Sequence, residues 1–331
     1  MEKTARKTLY LYISLIATLA IGLIFSITFG SSGLKLKDLI NGLLLKEGYE
    51  SVSVIIYNLR LPRGFGAMVA GMGLAVSGAV LQTVTNNGLC GPNIIGVNAG
   101  AGFGVVLISA LLPMNFYLTP VFAFLGAFLT TLVIGAVAFK MRGQKATVIL
   151  AGIAITAILN AFISLFMLLD DSLPINYRYF SIGGLYGVTI EKTLIPFFIV
   201  LLAIALSGVF SNKIDALSLN DTTAISIGVN VKTVRFVAIL IASLSAASAV
   251  SFAGLIGFVG LAVPHIAKKL VGFKTKRLVP ISALLGANLL VFADLLSRVI
   301  LPQTEIPLGI ITAFLGAPFF VILLLRGKNN A

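Results

Sequence analysis

One cysteine, one histidine and eleven acids are all that the 331 residues offer to chemistry built on a thiolate, an imidazole or a carboxylate. With Cys90 alone, neither an internal disulfide nor a cysteine-based zinc cluster can form. His265 has no second histidine or cysteine beside it, so neither a metal site nor a nucleophile–base pair can be built around it. The phosphate loop G-x-x-x-x-G-K-[ST] is missing, which excludes ATP hydrolysis by that device. No catalytic constellation remains, and this sets a membrane enzyme aside. No cofactor is expected.

What the sequence has in quantity is apolar surface. It is 58% hydrophobic and only 11% charged, with a mean hydropathy of +1.07. A soluble domain of this size could not hide so much, so the solvent must be largely lipid. Alternating ten-residue segments, the mark of a membrane β-barrel, are absent. Lys3, Arg6 and Lys7 precede an apolar run from Leu9 to Phe29. A signal peptide would have a shorter core and a small-residue cleavage site, so this run is expected to be an uncleaved first span.

The net charge of +13 is not spread evenly. Segments 1–8, 140–145, 211–235, 268–277 and 326–331 hold 16 of the 24 Lys and Arg but only three acids, Glu2, Asp215 and Asp221. The rest of the chain holds eight of each sign. The whole excess therefore falls on the loops of one side, which is the positive-inside bias. The basic balance reports orientation and does not call for a nucleic-acid partner.

Apolar stretches of span length run near 9–29, 61–84, 94–112, 116–139, 146–169, 193–210, 278–301 and 308–325. Between Arg235 and Lys268 the chain must leave the basic side and return. Two full crossings need about 40 residues, and Phe236–Ala267 is shorter than that. The expected solution is a helix over 236–252, a turn at "FAGLIG" and a short helix over 258–271. Short helices at membrane depth are tolerated where protein or a cavity surrounds them. The reading is an all-α polytopic membrane protein, one domain over 1–331. It has about ten transmembrane helices and both termini cytoplasmic, with 31–57 and 171–192 outside.

Within span two, Gly64, Ala67, Gly71, Ala75, Gly78 and Ala79 recur three or four apart, a face that lets helices approach closely. Pro62 suits a first helical turn, where its missing N–H would be unpaired anyway. Arg60 and Arg63 flank that proline at the non-cytoplasmic mouth, against the charge bias. Two readings are open for them, snorkelling to the interface and docking of a partner. Asp294 precedes Arg298 by four residues, so the two can pair on one helix face. It is also the one weak candidate for a proton-coupling site. Asn87–Gly88 and Gly91–Pro92 mark turns in the following cytoplasmic loop.

The segment "SNKIDALSLNDTTAISIGVNVKTVR", 211–235, is the one sizeable internal loop. Two short helices are expected in it, over 214–219 and 221–227, with Asn220 or Asp221 as N-cap and Gly228 as the stop. A loop with its own helices is a natural contact surface for another protein, and a compact connector is the other reading. His265 lies where the glycines of "GFVGLAVPHIAKKL" give way to cations. Packing or capping a helix end is one role for it and a proton relay the other.

"RLPRGFGAMVAGMGLAVSGAVLQ", "GPNIIGVNAGAG", "SLNDTTAISIGV", "AGLIGFVGLAVPHIAKKL" and "EIPLGIITAFLGAPFFVILLLR" occur in this order along the chain. Together they resemble the permease family of ABC importers for ferric siderophores, haem and cobalamin. The resemblance covers essentially the whole sequence. It implies a ten-span permease in the inner or plasma membrane of a prokaryote, paired with a second permease copy or a paralogue around a shared path. Two cytoplasmic ATP-binding-cassette subunits would drive it and an extracytoplasmic substrate-binding protein would feed it, with lipid as its only other surroundings.

On that likeness Arg60, Arg63 and Arg298 would dock the binding protein. Leu217, Leu219, Asn220, Asp221, Ala224, Ile227 and Gly228 would couple to the ATPase. Gly257, Gly260, Pro264 and His265 would form a structural or gating block. Two departures stand out. The family's Asn-Pro-Leu-Ala after span two is Asn87, Gly88, Leu89, Cys90 here, and Asn220 replaces a usual glycine. A ferric siderophore is the expected cargo, and an ion- or proton-coupled secondary transporter is the alternative from another class.

Overall fold

The computed structural model describes residues 2–30, 34–141, 145–170, 173–219, 221–301 and 304–327. Among them every regular element is helical. In chain order these are α1 (Glu2–Thr28), α2 (Leu36–Leu43), α3 (Glu50–Val54), α4 (Leu61–Thr85), α5 (Val97–Leu111), α6 (Thr119–Lys140), α7 (Lys145–Leu169) and α8 (Leu173–Ile182). They continue with α9 (Ile190–Val209), α10 (Ser211–Leu217), α11 (Asp221–Ser226), α12 (Val231–Ala253), α13 (Val259–Val271), α14 (Thr275–Val299) and α15 (Leu308–Gly327). Seven helices among the described residues are long and apolar enough to cross a membrane. α5, with 15 residues, rises only about 22 Å and α13, with 13 residues, about 20 Å.

The long helices fall within a few residues of the apolar stretches, because lipid rewards continuous apolar helix and nothing shorter satisfies the backbone. The out-and-back also lies where the residue count required it. α12 ends at Ala253, Gly254 takes φ +70°, and α13 begins only at Val259. Four elements were not anticipated: α2, α3, α8 and a π-helical stretch over Ile55–Arg60. They are short, and their apolar runs fall below the length that marks a span.

Pro62 lies in the first turn of α4, as expected, but α4 continues an earlier helical run. Residues Glu50–Thr85 form one continuous helical run, and the proline lies inside it. A proline ring crowds the carbonyl four residues back and offers no N–H to it. The π stretch absorbs this by widening the register, with the Leu61 N–H donating to Ile56 O five residues back.

α4 is the central pillar, buried along nearly its whole length. α14 runs antiparallel along it, α12, α9 and α13 cover its other sides, and α5, α6 and α7 form a flanking group joined through α12. The small-residue face is what permits this. A methyl on Gly71 would lie 2.1 Å from Gly286 O of α14, and one on Gly78 would lie 1.7 Å from Gly260 O of α13. Pro264 explains the second approach, since it has no N–H for the Gly260 carbonyl four residues earlier. That oxygen instead faces the Gly78 backbone. The outer helices differ in kind: α1, α7 and α15 expose Ile13, Ile16, Leu150, Phe314 and Val321, apolar faces left for lipid or another membrane helix.

Candidate functional site

At one end of the α4–α14 pair three guanidiniums converge. Arg63 Nε donates to Asp294 Oδ1 at 2.7 Å and its Nη1 to Glu305 Oε2 at 2.6 Å. Arg298 Nη2 lies 3.0 Å from Asp294 Oδ2, the pair expected from the four-residue spacing. Arg298 also donates to Ser26 O at 3.1 Å and Ser26 Oγ at 2.7 Å. Arg60 Nη1 donates to Ile27 O and Thr28 O, so it closes the end of α1.

These arginines are not exposed snorkelling side chains. Arg60 is 5% and Arg298 4% exposed, and Asp294 is fully buried. Tyr186 lies beside Arg63, whose guanidinium carbon sits 5.2 Å from the ring centre. Its hydroxyl donates to Glu305 O at 3.2 Å. Burial first, then the Glu305 carboxylate, raises the Tyr186 phenol, which keeps it a neutral donor. The three arginines line one cavity of about 330 Å³ with Tyr186, Glu305 and Leu59. Sequence spacing could not have found these contacts, since Glu305 meets Arg63 across 242 positions and Tyr186 meets Glu305 across 119.

At the other end of the pillar sit α10 and α11, a few residues from where they were expected. α10 starts three residues early, and α11 ends at Ser226. Both are pinned. Asp215 Oδ1 accepts from the Thr275 N–H at 2.8 Å and from its hydroxyl, so it serves the N-terminus of α14. Arg235, 1% exposed, donates to both oxygens of Asp221, at 2.8 Å and 3.4 Å. Gly228 stops α11 with φ +82°, as a left-handed glycine should.

The expected coupling residues divide by exposure. Leu217 and Ala224 are fully buried and position the helices from within. Leu219, Ile227 and the unanticipated Ile225 are exposed, at 46%, 60% and 62%. Gly228 is exposed too and Asp221 is tied to Arg235. Asn220, expected as a cap and coupling residue, lies outside the described residues.

In the glycine–proline–histidine block, Gly260 and Pro264 are buried in the α4–α13 contact, whereas a methyl on Gly257 would meet nothing within 4 Å. His265 is inside α13 and does not cap it. Its ring meets Phe319 edge-on, with centres 6.2 Å apart. Among the described residues no group of three metal-ligating side chains occurs. Cys90 is fully buried in the loop after α4, and burial pushes its thiol up.

The model of the FecCD transport family matches residues 18–326. The chain belongs to that family. Relatives within it are close over nearly full length. The Fe(3+)-citrate import system permease protein YfmD of Bacillus subtilis (strain 168) is 35% identical over 99% of this chain and 98% of its own. The vitamin B12 import system permease protein BtuC of Vibrio vulnificus (strain CMCP6) is 35% identical over 83% and 84%. The solved inward-facing conformation of a metal-chelate type ABC transporter superposes with a TM-score of 0.81, at 29% identity over 95% of this chain and 98% of the other. This FecCD protein is a multi-pass membrane permease subunit of the ABC importer class, not an enzyme.

Proposed function

We propose that this FecCD permease carries a ferric siderophore or related iron chelate inward, through a path shared with a second permease copy or a paralogue. The named relatives handle ferric citrate or vitamin B12, and iron chelates are the reading that fits both the family and the expected cargo. The chain crosses the inner or plasma membrane of a prokaryote about ten times, with both termini cytoplasmic. Cytoplasmic ATP-binding-cassette subunits seat on 214–228, and an extracytoplasmic binding protein docks at the arginine cavity. The outer face of α15, with Ile310, Phe314 and Val321 exposed beside Phe258, supports an apolar contact with the second permease.

One observation carries the reading. A pair of short helices is fixed by ion pairing and capping at one end of the pillar, yet turns Leu219, Ile225 and Ile227 outward. A mere connector has no use for three exposed apolar side chains on a rigid mount. Ile225→Glu is therefore expected to abolish co-purification of the ATPase while the permease still folds. Uptake that persists after deletion of the ATPase gene, with no substitute present, would instead favour a secondary carrier. The ion network speaks against such a carrier. Asp294, its one candidate proton site, is held between Arg63 and Arg298, and protonation would break both contacts.

Docking at the arginines is an electrostatic claim. Three guanidiniums gather beside Asp294 and Glu305 around one cavity. Guanidiniums of this kind suit a partner carboxylate. Reversing Arg60 or Arg63 would break α1 and α14 contacts and confuse the result, so the test belongs at Leu59, which lines the cavity and is 58% exposed. Leu59→Glu is expected to weaken binding-protein affinity about fivefold at low salt, with the difference shrinking at high salt, as for a pair worth about 1 kcal/mol. An unchanged affinity at both salts would leave the arginines as anchors only.

Topology has its own check. Cys90 is buried with a raised thiol pKa, so it should stay unlabelled by an impermeant maleimide at neutral pH. The native chain then serves as background for Lys274→Cys, which should label only after the membrane is opened. Labelling of position 274 in intact cells would overturn the orientation.

A further inference from the structure

At the α10 end of the pillar, a cavity of about 510 Å³ opens between the last turn of α4, the second half of α13 and the end of α10. Its polar wall is Gln82, Thr83, Asn86, Ser218, His265, Lys268 and Lys269. Among the described residues no carboxylate lines it, and neither lysine makes an ion pair.

Lys268 is the informative residue. Its Nζ donates to Gln82 Oε1 at 2.9 Å, and Gln82, 2% exposed, is itself fixed by donating to Leu261 O at 3.1 Å. A lysine at a membrane boundary ordinarily extends its head to water, and cations in a last turn already suit the helix dipole. Neither effect needs a buried glutamine to draw the ammonium inward. The amide satisfies one N–H and cancels none of the charge. The two hydroxyls on the wall offer no donor, because Thr83 Oγ1 already donates to Ala79 O at 2.8 Å and Ser218 Oγ to Asp215 O at 2.6 Å. The wall therefore presents ammonium and amide N–H groups around two uncompensated positive charges.

We propose that this cavity binds a phosphate-class oxyanion, held chiefly by Lys268 and Lys269 with the Asn86 amide as a further donor. A phosphomonoester carries about −1.5 to −2 at neutral pH and three strong acceptor oxygens, which matches two ammoniums. A single carboxylate would leave one of them unbalanced. The group can come from soluble phosphate or from the headgroup of a phosphomonoester lipid. Because Ser218, which directly follows α10, borders the cavity, the bound anion sits between α13 and that helix pair.

The test is thermal unfolding of the purified full-length chain. Inorganic phosphate is compared with sodium chloride at equal ionic strength, and short-chain phosphatidate with phosphatidylcholine. Phosphate, phosphatidate or both should raise the midpoint by at least about 2 °C over its control. Response to phosphate identifies a soluble source, and response to phosphatidate alone identifies a lipid headgroup. K268Q/K269Q should erase the response. So should Asn86→Asp, which adds a carboxylate to the wall and leaves both lysines in place. Should the double variant fail to fold, N86D decides alone. The proposal is overturned by shifts no larger than the controls', or by a specific shift that survives in N86D.

Discussion

Gly78→Leu is expected to leave no correctly folded permease in the membrane. A single methyl on Gly78 would sit 1.7 Å from Gly260 O and 2.5 Å from its carbonyl carbon. Both are backbone atoms that no rotamer change can move. Overpacking of ordinary cores costs about 1–3 kcal/mol because side chains yield. Here two helices must separate, and α13, which also packs on α14, would have to move with its own ladder already interrupted at Pro264. In lipid no hydrophobic force draws the helices back together, so close backbone packing is most of what associates them. The measurement is the yield and monodispersity of detergent-extracted protein. Gly88→Ala is the control, as a methyl there meets nothing within 4 Å. Wild-type yield of a monodisperse Gly78→Leu protein would show that α13 packs differently from what is described.

Asp294→Ala is expected to destabilise by about 3–5 kcal/mol, the usual cost of stranding a buried charge. The stranded charge is Arg298, which is 4% exposed, whereas Arg63 keeps Glu305. Part of the damage is then relayed to α1, because Arg298 also holds Ser26. Asp294→Asn should fall between, since it keeps the shape and an acceptor oxygen but loses the negative charge. High salt should rescue neither, because the site is shielded from solvent. Denaturant unfolding of the three proteins decides the matter. A loss below about 1 kcal/mol in Asp294→Ala would mean that the arginines find other partners and that the network is not a keystone.

Much of the architecture was legible in one dimension. Hydropathy sums over about 20 residues, so the long helices announced themselves. The uneven distribution of cations gave an orientation, and the short stretch between Arg235 and Lys268 gave a broken, foreshortened helix before any coordinates. The Asp294–Arg298 pair and the Gly228 stop were legible for the same reason: both are set by local helix geometry, which depends only on spacing. Local patterning ran out where partners come from afar. Arg63 meets Asp294 across 231 positions and Glu305 across 242, and nothing in the sequence near Arg63 names either.

The tertiary structure also changed what several residues are. Arg60 and Arg298 read as surface cations and turned out to be buried braces on α1. Ala224 read as a contact residue and is buried, with exposed Ile225 beside it. Burial is a property of what packs on a helix face, and for Arg298 on α14 that is α1, at the far end of the chain. The sequence by itself determined the solvent, the all-helical class and the order of the long helices. These follow from the free energy of moving each segment from water to lipid. Which faces meet, which charges pair and which cavities remain were decided only when α4 was enclosed by α14, α12 and α13, because those terms depend on distances between residues far apart in the chain.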